Sequence, residues 1–322
     1  MRTLLHFALY VGSAAALLAG CGVLPGMPQS RSVPAHAGGS AVPSYLYVAD
    51  PVLHAVVAFD GSGNEVAEKK FNGPLPEDVV TDSRGHVYVN VFTTSGSTSV
   101  QEYTHDLGRL IAVYRPFGLT YTMAVDASDN LYVESQSAEG FEQNILRYPY
   151  GSTRARHNYR IRKRSTWTTT MAGISVRGNA LYTMIIFSAP VEPLIRQCFV
   201  NGSGECHDVR TGGPNSATCG FTTANRHEVY GIAVSSTNKI EYDTIKRSWS
   251  KTHHDIDLPP GYGLGVQCNF HSYKGDVWTT VQGSKLAEAL EVDVDHRKVI
   301  DAVGAGYLKH PTAAYYGNGL SE

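Results

Sequence analysis

The sequence predicts an all-β fold assembled from a repeated unit of four strands, and three observations predict it. Glycine and tyrosine are abundant, with 32 and 19 residues, only 17 % of the chain is charged, and long amphipathic helical patterns are missing; this mixture suits short strands joined by tight turns. From Tyr45 onward, a similar segment returns every roughly 40–50 residues. Finally, the two ends of this repeating region each carry only part of the unit.

The clearest copies of the repeat are Val79–Val89 and Met123–Val133. Each reads as an apolar strand, a polar turn that contains an aspartate, and a second strand. The third and fourth strands expected after these copies are Val100–Tyr103, Leu110–Tyr114, Ile145–Tyr148 and His157–Ile161. Weaker copies place their second strands at Ala180–Tyr182, Glu228–Tyr230 and Asp276–Trp278. Four short strands in each unit are typical of a β-propeller blade.

The two ends of the repeating region predict the number of blades. Ser44–Asp50 reads as a second strand with no first strand before it, and Pro311–Gly319 reads as a first strand with nothing after it. Joined, they complete one blade. Five internal units plus this composite blade predict a six-bladed propeller, closed by pairing of the C-terminal strand with the N-terminal blade, which removes open sheet edges there.

The repeat also carries a family resemblance. The segment Pro76–Val89 follows the pattern Pro-x-x-(apolar)-x-x-Asp-x-x-Gly-x-(apolar)-Tyr-Val, which resembles NHL-type propeller repeats, and the whole ring is similar to six-bladed, TolB-like folds over residues 45–322. Between Trp167 and Val303 the copies depart from the pattern, since Val176 replaces the turn aspartate and Trp278 replaces the strand tyrosine. Because propellers carry many unrelated activities, the resemblance implies fold and little about function.

The N-terminus predicts export and a lipid anchor. Arg2 and the apolar run Leu4–Leu18 suit residues 1–20 as a signal peptide, because the run is too short to cross a membrane comfortably. Leu18–Cys21 resembles a bacterial lipobox, which implies that Cys21 carries diacylglycerol. An ordinary cleaved signal with a chance cysteine is the alternative. Residues 21–44 then form the lipidated cysteine and a Pro-, Gly- and Ser-rich tether.

Charge and the residue after Cys21 bear on partners and location. The net charge is −2 and the sequence pI is about 6.7, which argues against nucleic acid as a partner. Gly22 is not the aspartate that commonly retains such lipoproteins at the inner membrane. We therefore expect a monomer held by its lipid at the outer membrane, facing the periplasm, or on the cell surface of a host with one membrane. Its partner would be an envelope protein or a small ligand.

Four cysteines remain after Cys21, and an even number in an exported chain favours disulfides. Cys198 and Cys206 flank a turn between the third and fourth strands of a blade, where they can face each other. Cys219 and Cys268 occupy matching places on the innermost strands of adjacent blades. We predict the bonds Cys198–Cys206 and Cys219–Cys268. A metal site is the alternative, disfavoured because no Cys-x-x-Cys pair occurs.

One end of the predicted propeller collects polar residues. Asp50, Asn90 and Glu134 close second strands, and Glu77 opens an inner strand. Six-bladed lactonase-like and gluconolactonase-like propellers, which this ring resembles, hold a divalent metal with such oxygen ligands and commonly use a channel histidine. The resemblance implies Glu77, Asn90 and Asp50 as candidate metal ligands, and His271 as a candidate base. The alternative is that these residues cap loops or are satisfied within the core.

The same end carries unequal loops. Asn90–Ser99, Glu134–Asn144 and Met184–Leu194 are longer than their counterparts. They predict a raised half-rim, marked by Asn90, Glu134 and Met184, against which a ligand or partner can lie. Tolerated insertions are the alternative.

For two further stretches, we prefer a purely structural role over a functional one. His253–Asp257 has metal-binding residue types but lies where an outer strand is expected, so alternate side chains face opposite ways. Arg160, Arg162 and Arg164 repeat every second residue, as on one face of a charged outer strand that blocks edge-to-edge pairing. Attraction to an anionic surface is the alternative for the arginines.

Taken together, these observations favour a lipid-anchored binding or interaction module, with no catalytic residue assigned and no cofactor expected. The alternative is a metal-dependent hydrolase or lyase of the lactonase kind, with Glu77, Asn90 and Asp50 around a divalent ion and His271 as general base.

Overall fold

The computed structural model describes residues 44–93, 95–137, 142–162, 169–187, 194–200, 206–209, 218–225, 228–234, 239–246, 251–258, 262–263, 271–273, 276–283, 287–293 and 296–317. The predicted signal peptide, Cys21 and almost all of the tether lie outside these residues, as does Cys268. Within the described ranges, no helix is long and apolar enough to cross a membrane.

Every regular element in the described ranges is a strand, and the strands pair into six antiparallel sheets. The sheet that joins the two ends of the chain contains β25 (Ala313–Gly317), β1 (Tyr45–Asp50), β2 (Ala55–Phe59) and β3 (Glu65–Lys70). The next contains β4 (Leu75–Thr81), β5 (Val87–Phe92), β6 (Thr98–Tyr103) and β7 (Leu110–Tyr114). The third contains β8 (Met123–Val125), β9 (Leu131–Gln136), β10 (Gln143–Tyr148) and β11 (His157–Arg162).

The remaining sheets lie in the part of the chain where the repeat pattern fades. One contains β12 (Thr169–Arg177), β13 (Ala180–Phe187), β14 (Leu194–Phe199) and β15 (Cys206–Val209), and another contains β16 (Thr218–Asn225), β17 (Glu228–Val234), β18 (Lys239–Lys246) and β19 (Lys251–Asp257). The last contains β20 (Tyr262–Gly263), β21 (His271–Tyr273), β22 (Asp276–Gly283), β23 (Ala287–Asp293) and β24 (Lys298–Val303), with β20 and β21 both pairing with β22.

The hydrophobic core lies between the faces of consecutive sheets. The sheet of β1 packs against that of β22 through residues that include Val57 and Trp278, and against that of β5 through residues that include Val56 and Val89. The sheet of β5 in turn packs against that of β9 through residues such as Tyr88 and Met123. Small four-stranded sheets packed face to face in chain order are the arrangement of a β-propeller.

The C-terminal strand pairs where the sequence predicts it. β25 lies antiparallel to β1, with Ala314 opposite Val48 and Tyr316 opposite Leu46. The first strands of consecutive sheets also contact one another: β25 with β4, β4 with β8, β8 with β12, β12 with β16, β16 with β21, and β21 with β25.

The turn that defines the repeat is held by its aspartate. Asp82 Oδ1 accepts the backbone N–H groups of Arg84 (2.9 Å) and His86 (2.8 Å), and Gly85 adopts φ 80°, a conformation that costs glycine little. In the next sheet Asp126 Oδ1 accepts the N–H groups of Ser128 and Asn130 at 2.9 Å. The spacing of aspartate and strand in the pattern therefore reflects one side chain that closes a tight turn.

One predicted disulfide is confirmed. Cys198 and Cys206 are directly opposite in β14 and β15 and are bonded, with their Cα atoms 4.1 Å apart. For the second predicted pair, Cys219 lies in β16, and Cys268 is outside the described residues.

Candidate functional site

The polar residues that the sequence singles out lie at one end of the sheets. We call this the loop end; it carries the β1–β2 turn (51–54), the β5–β6 turn (93–97) and the β9–β10 connection. The other end, which we call the turn end, carries the β4–β5 turn (82–86) and the β8–β9 turn (126–130). Successive antiparallel strands run in opposite directions, so the two sets of connections alternate between the ends.

Asp50 is fully buried at the loop end and holds two connections at once. Its Oδ1 accepts the backbone N–H groups of Val52 and Leu53, both at 3.0 Å. Its Oδ2 accepts those of Lys309 (2.6 Å) and His310 (2.8 Å), in the segment that leads into β25. Because both carboxylate oxygens are occupied by backbone donors, Asp50 is a clamp between the start and the end of the chain. Its place among the candidate metal ligands of the alternative function stays a prediction.

Asn90 is likewise committed to the backbone. Its Nδ2 donates to the carbonyl of Thr120 (2.8 Å), while its Oδ1 accepts the Thr120 hydroxyl (2.7 Å). Thr98 Oγ1 donates to the carbonyl of Gly118 (2.9 Å) in the same connection. Asn90 is 0 % exposed, so it does not lie on an exposed rim, which corrects that prediction. Its candidacy as a metal ligand stays a prediction.

Asp78, which sequence analysis missed, joins three sheets. Its Oδ2 accepts the backbone N–H of Met123 (2.7 Å) in β8, and its Oδ1 lies 3.0 Å from His271 Nε2 in β21. The His271 ring packs edge-on against Tyr315 of β25, with ring centroids 5.0 Å apart. The predicted channel histidine is therefore buried between a carboxylate and an aromatic ring, and its Nε2 contacts Asp78.

Glu77 is the extra residue of a β-bulge. The register of β4 against β5 shifts between Pro76 and Asp78, and bulges often lie beside functional sites. Burial, with a smaller contribution from the charge of Asp78, raises the pKa of Glu77 from 4.5 to about 7. Its carbonyl oxygen accepts the Thr312 hydroxyl (3.0 Å), so the bulge also ties β4 to the segment before β25.

Glu134 and its neighbours form a buried polar layer in the third sheet. Glu134 is 0 % exposed and lies opposite Ile145, so it does not mark an exposed rim, which corrects that prediction. Two pairs further along, Gln143 is also fully buried, and neither polar atom of its amide has a hydrogen-bond partner within the described part of the chain. A buried amide normally binds protein or water, so this position is a candidate for an ordered water or a ligand group.

Each of the predicted raised segments begins and ends in strand. β5 and β6 stay paired to Phe92 and Thr98, and the remaining turn is closed by a hydrogen bond from Thr93 N to Ser97 O (2.8 Å). In the third segment, Met184 belongs to β13, paired with both β12 and β14. Among the described residues of these connections, Ser95 and Glu142 are exposed.

A shallow groove of about 490 Å³ runs along the third sheet, between its outer strand and the segment after β7. It is lined by Arg115, Phe117, Leu146, Tyr148, Thr153, Arg154, Ala155, Arg156, His157 and Asn158. Arg154 and Arg156, in the segment before β11, therefore line a concave and partly apolar surface. Arg160 lies on β11 and is exposed, as predicted for a charged outer strand.

Comparison with known proteins identifies the fold. No protein-family model matches the chain, and no curated protein matches it. Among solved structures, a chain of the nidogen/laminin complex covers 87 % of this chain and 99 % of its own length, with TM-score 0.61 and 12 % identity. TolB from Acinetobacter baumannii covers 86 % and 67 %, with TM-score 0.58 and 10 % identity.

A third similar structure, from Bacteroides fragilis, is described as a candidate 6-phosphogluconolactonase. It covers 87 % of this chain and 100 % of its own, with TM-score 0.52 and 8 % identity. The chain is thus a β-propeller. At these identities the similarity extends to the fold and no further.

Proposed function

We propose that this protein is a lipid-anchored, extracytoplasmic β-propeller that acts as a binding or interaction module, with its partner or ligand on the loop end. In this proposal, residues 1–20 direct export, Cys21 carries the lipid, residues 22–44 are the tether, and residues 45–322 form six blades in one closed ring. The contacts between successive first strands, returning from β21 to β25, support the ring.

One observation carries the choice of a binding module over an enzyme. The oxygens of Asp50 and Asn90 and both carboxylate oxygens of Asp78 are already bound by backbone or side-chain donors of neighbouring segments. A buried carboxylate that accepts several N–H groups stabilises the fold, and here it joins segments that are distant in sequence. The loop end is thereby a rigid platform, and its accessible surface is formed by turns, the usual place for recognition.

An oxidising compartment is supported by the Cys198–Cys206 bond, because disulfides persist in exported proteins. The anchor is tested by replacing Cys21 with serine and following the incorporation of labelled palmitate and the membrane fraction. The proposal expects both to be lost together. Retention at the membrane without Cys21 would contradict a lipid anchor.

The binding face is tested with a photo-crosslinking residue placed at one position at a time in cells. Ser95 and Glu142 report on the loop end, and Ser62, in the β2–β3 turn at the turn end, is the matched control because it is also exposed. We expect the same adduct from Ser95 and Glu142 and none from Ser62. Equal adducts from all three positions, or adducts from Ser62 alone, would contradict the proposed face.

A second candidate function, a lactone or ester hydrolase, is favoured by one feature. Glu77, with its pKa raised to about 7, directly precedes Asp78, whose carboxylate contacts His271 at 3.0 Å. A carboxyl group that titrates near neutral pH can act as a general acid or base. Under this function, Glu77→Gln abolishes turnover in a lactone and ester screen; under the binding function, turnover is no greater in the wild type than in the variant.

A further inference from the structure

A compact cluster of donor atoms lies at the turn end of the second sheet, away from the residues discussed above. Asp82, His86 and Glu102 each contribute one atom, and the three atoms lie within 4.8 Å of one another. His86 Nδ1 is 3.2 Å from Asp82 Oδ2 and 2.9 Å from Glu102 Oε1. No local motif links these residues, because Asp82 belongs to a turn and Glu102 to a strand further along the chain.

Each carboxylate is held in place by a tyrosine. Tyr88 donates its hydroxyl to Asp82 Oδ2 (3.2 Å), and Tyr114 donates to Glu102 Oε2 (2.6 Å). The side chains of Asp82 and Glu102 are 0 % and 6 % exposed. Glu102 Oε1, which the tyrosine leaves unoccupied, is the oxygen nearest to His86. Two buried carboxylates are thus fixed by neighbouring hydroxyls with one oxygen of each directed at the same nitrogen.

His86 completes the cluster and opens it to solvent. Its Nδ1 is buried, and despite its two close oxygens it makes no hydrogen bond of good geometry. The ring stacks on Tyr150 of the next sheet, with centroids 6.3 Å apart, and a quarter of the side chain is exposed. Nδ1 therefore faces one oxygen of each carboxylate, and when it carries no proton it can offer its lone pair to a cation placed between them.

The next sheet shows what the same positions contain when no such cluster forms. Asp126 corresponds to Asp82 in the repeat, but Asn130 replaces the histidine and Arg147, opposite Tyr132, replaces the glutamate. Asn130 Nδ2 donates to both oxygens of Asp126, at 3.0 and 2.8 Å. The corresponding positions of the third sheet thus contain one carboxylate, one amide and one arginine. In the second sheet, the corresponding site has two carboxylates and one histidine.

The excess negative charge is not balanced by other side chains within the described ranges. His86 is the one basic group there within ion-pair distance of Asp82 or Glu102. Arg84 is nearby, but it pairs with Asp129 at 3.4 Å and lies over the Tyr150 ring at 3.7 Å. Buried carboxylates without a compensating partner are costly, and a divalent cation between the three donors would compensate both.

We propose that Asp82 Oδ2, His86 Nδ1 and Glu102 Oε1 form a binding site for a divalent transition-metal ion of the Zn²⁺ type. One nitrogen and two carboxylate oxygens are ligands that zinc accepts, at roughly 2.0–2.2 Å. Tetrahedral geometry at those lengths places ligand atoms about 3.3 Å apart, close to the 2.9 and 3.2 Å found around Nδ1. Calcium and magnesium prefer all-oxygen sets. The exposed side of His86 leaves the fourth position to water or to a group from a partner.

The test is zinc titration of the untagged, delipidated protein by calorimetry, with cobalt absorption as a report on a nitrogen-containing coordination sphere. Glu102→Gln removes one ligand oxygen charge with little change in shape. The double change His86→Asn with Glu102→Arg reproduces the arrangement of the third sheet, which folds in this same molecule. His296→Asn is the matched control, because it removes an exposed histidine that lies 2.7 Å from a single carboxylate of Asp293.

We expect one equivalent of zinc in the wild type and in His296→Asn, with a rise in Tm. In both cluster variants we expect affinity to fall by at least the roughly 10–100-fold that loss of an outer-shell partner costs. The proposal is overturned if the wild type binds zinc no more tightly than about 10 µM, or if the double variant, folded by circular dichroism, binds as tightly as the wild type.

Discussion

The two ends of the propeller use the same residue types in opposite ways. At the loop end, Asp50 and Asp78 have both oxygens occupied by donors from neighbouring segments. At the turn end, Asp82 is held in the same way, with Oδ1 accepting two backbone N–H groups and Oδ2 accepting the Tyr88 hydroxyl. There, however, Asp82 Oδ2 and Glu102 Oε1 both also face His86 Nδ1. The residue type therefore does not distinguish a clamp from a ligand. The convergence of a second buried carboxylate on the same histidine nitrogen does.

The strongest test of the clamp at the loop end is Asp50→Ala. It leaves four backbone N–H groups without their acceptor, and each lost partner in a buried setting costs about 1–3 kcal/mol. Allowing for water reaching the partly buried donors, we expect the free energy of unfolding to fall by about 3–5 kcal/mol. Urea denaturation with matched m-values measures it. Asp50→Asn is the control and should lower the free energy of unfolding by less, since one acceptor oxygen remains. A decrease below about 1 kcal/mol in Asp50→Ala would show that Asp50 does not hold the two segments together.

The Cys198–Cys206 disulfide, which lies at the turn end, allows a second test of what stabilises the fold. Cys198 and Cys206 close a loop with a sequence separation of 8, for which the loop-entropy relation gives about 2–3 kcal/mol. The double change to serine should lower the free energy of unfolding by that amount and leave zinc binding at His86 unchanged. Chemical denaturation and calorimetry check the two halves of this expectation. A loss of zinc together with the disulfide would show that the cluster depends on global stability rather than on its own donors.

The contribution of the Asp78–His271 contact to fold stability can be measured directly. We expect Asp78→Asn to destabilise the fold by about 2 kcal/mol and His271→Gln by about 1 kcal/mol, because each leaves a buried polar partner. A double-mutant cycle by urea denaturation should give a coupling energy of at least about 0.5 kcal/mol. Additive effects of the two changes would mean that the 3.0 Å contact contributes nothing to the joining of the sheets.

The pH dependence of stability separates Glu77 from the clamped carboxylates. Burial raises the pKa of Glu77 to about 7 from its ordinary 4.5, so the folded protein binds more protons than the unfolded chain between these values. Stability should therefore fall as the pH rises from about 5 to 8, by about 1–2 kcal/mol after allowance for partial exposure. Glu77→Gln should flatten this slope in thermal melts taken across that range. An unchanged slope in the variant would assign the pH dependence to other groups.

The propeller arrangement was predictable because its repeat is local. Gly85 and Asp82 encode the turn by themselves, through a positive φ and an acceptor for two N–H groups. The strands on either side need only apolar residues, either at alternate positions or throughout. The same local logic predicted the Cys198–Cys206 bond across one hairpin. Blade boundaries were less clear between Trp167 and Val303, where Val176 is buried in a strand rather than closing a turn.

The site was harder to predict because its contacts are distant in sequence. Asp50 and Asn90 were found by their position at strand ends, but their role depends on Lys309 and Thr120, which no local pattern links to them. Asp78 was missed for the same reason, since its partner His271 is 193 positions away. For the turn-end cluster, the repeat did contain a usable signal: alignment of the two copies sets His86 against Asn130 and Glu102 against Arg147.

The most direct test of the contrast between the two ends is the metal content of residues 22–322, exported to an oxidising periplasm and purified without chelator. We predict about one equivalent of zinc that is retained in Glu77→Gln and lost in the His86→Asn, Glu102→Arg variant. Calcium, magnesium or zinc that is lost in Glu77→Gln and retained in the double variant would place the metal at the loop end. That result would contradict the clamp assignment and make the hydrolase the leading function.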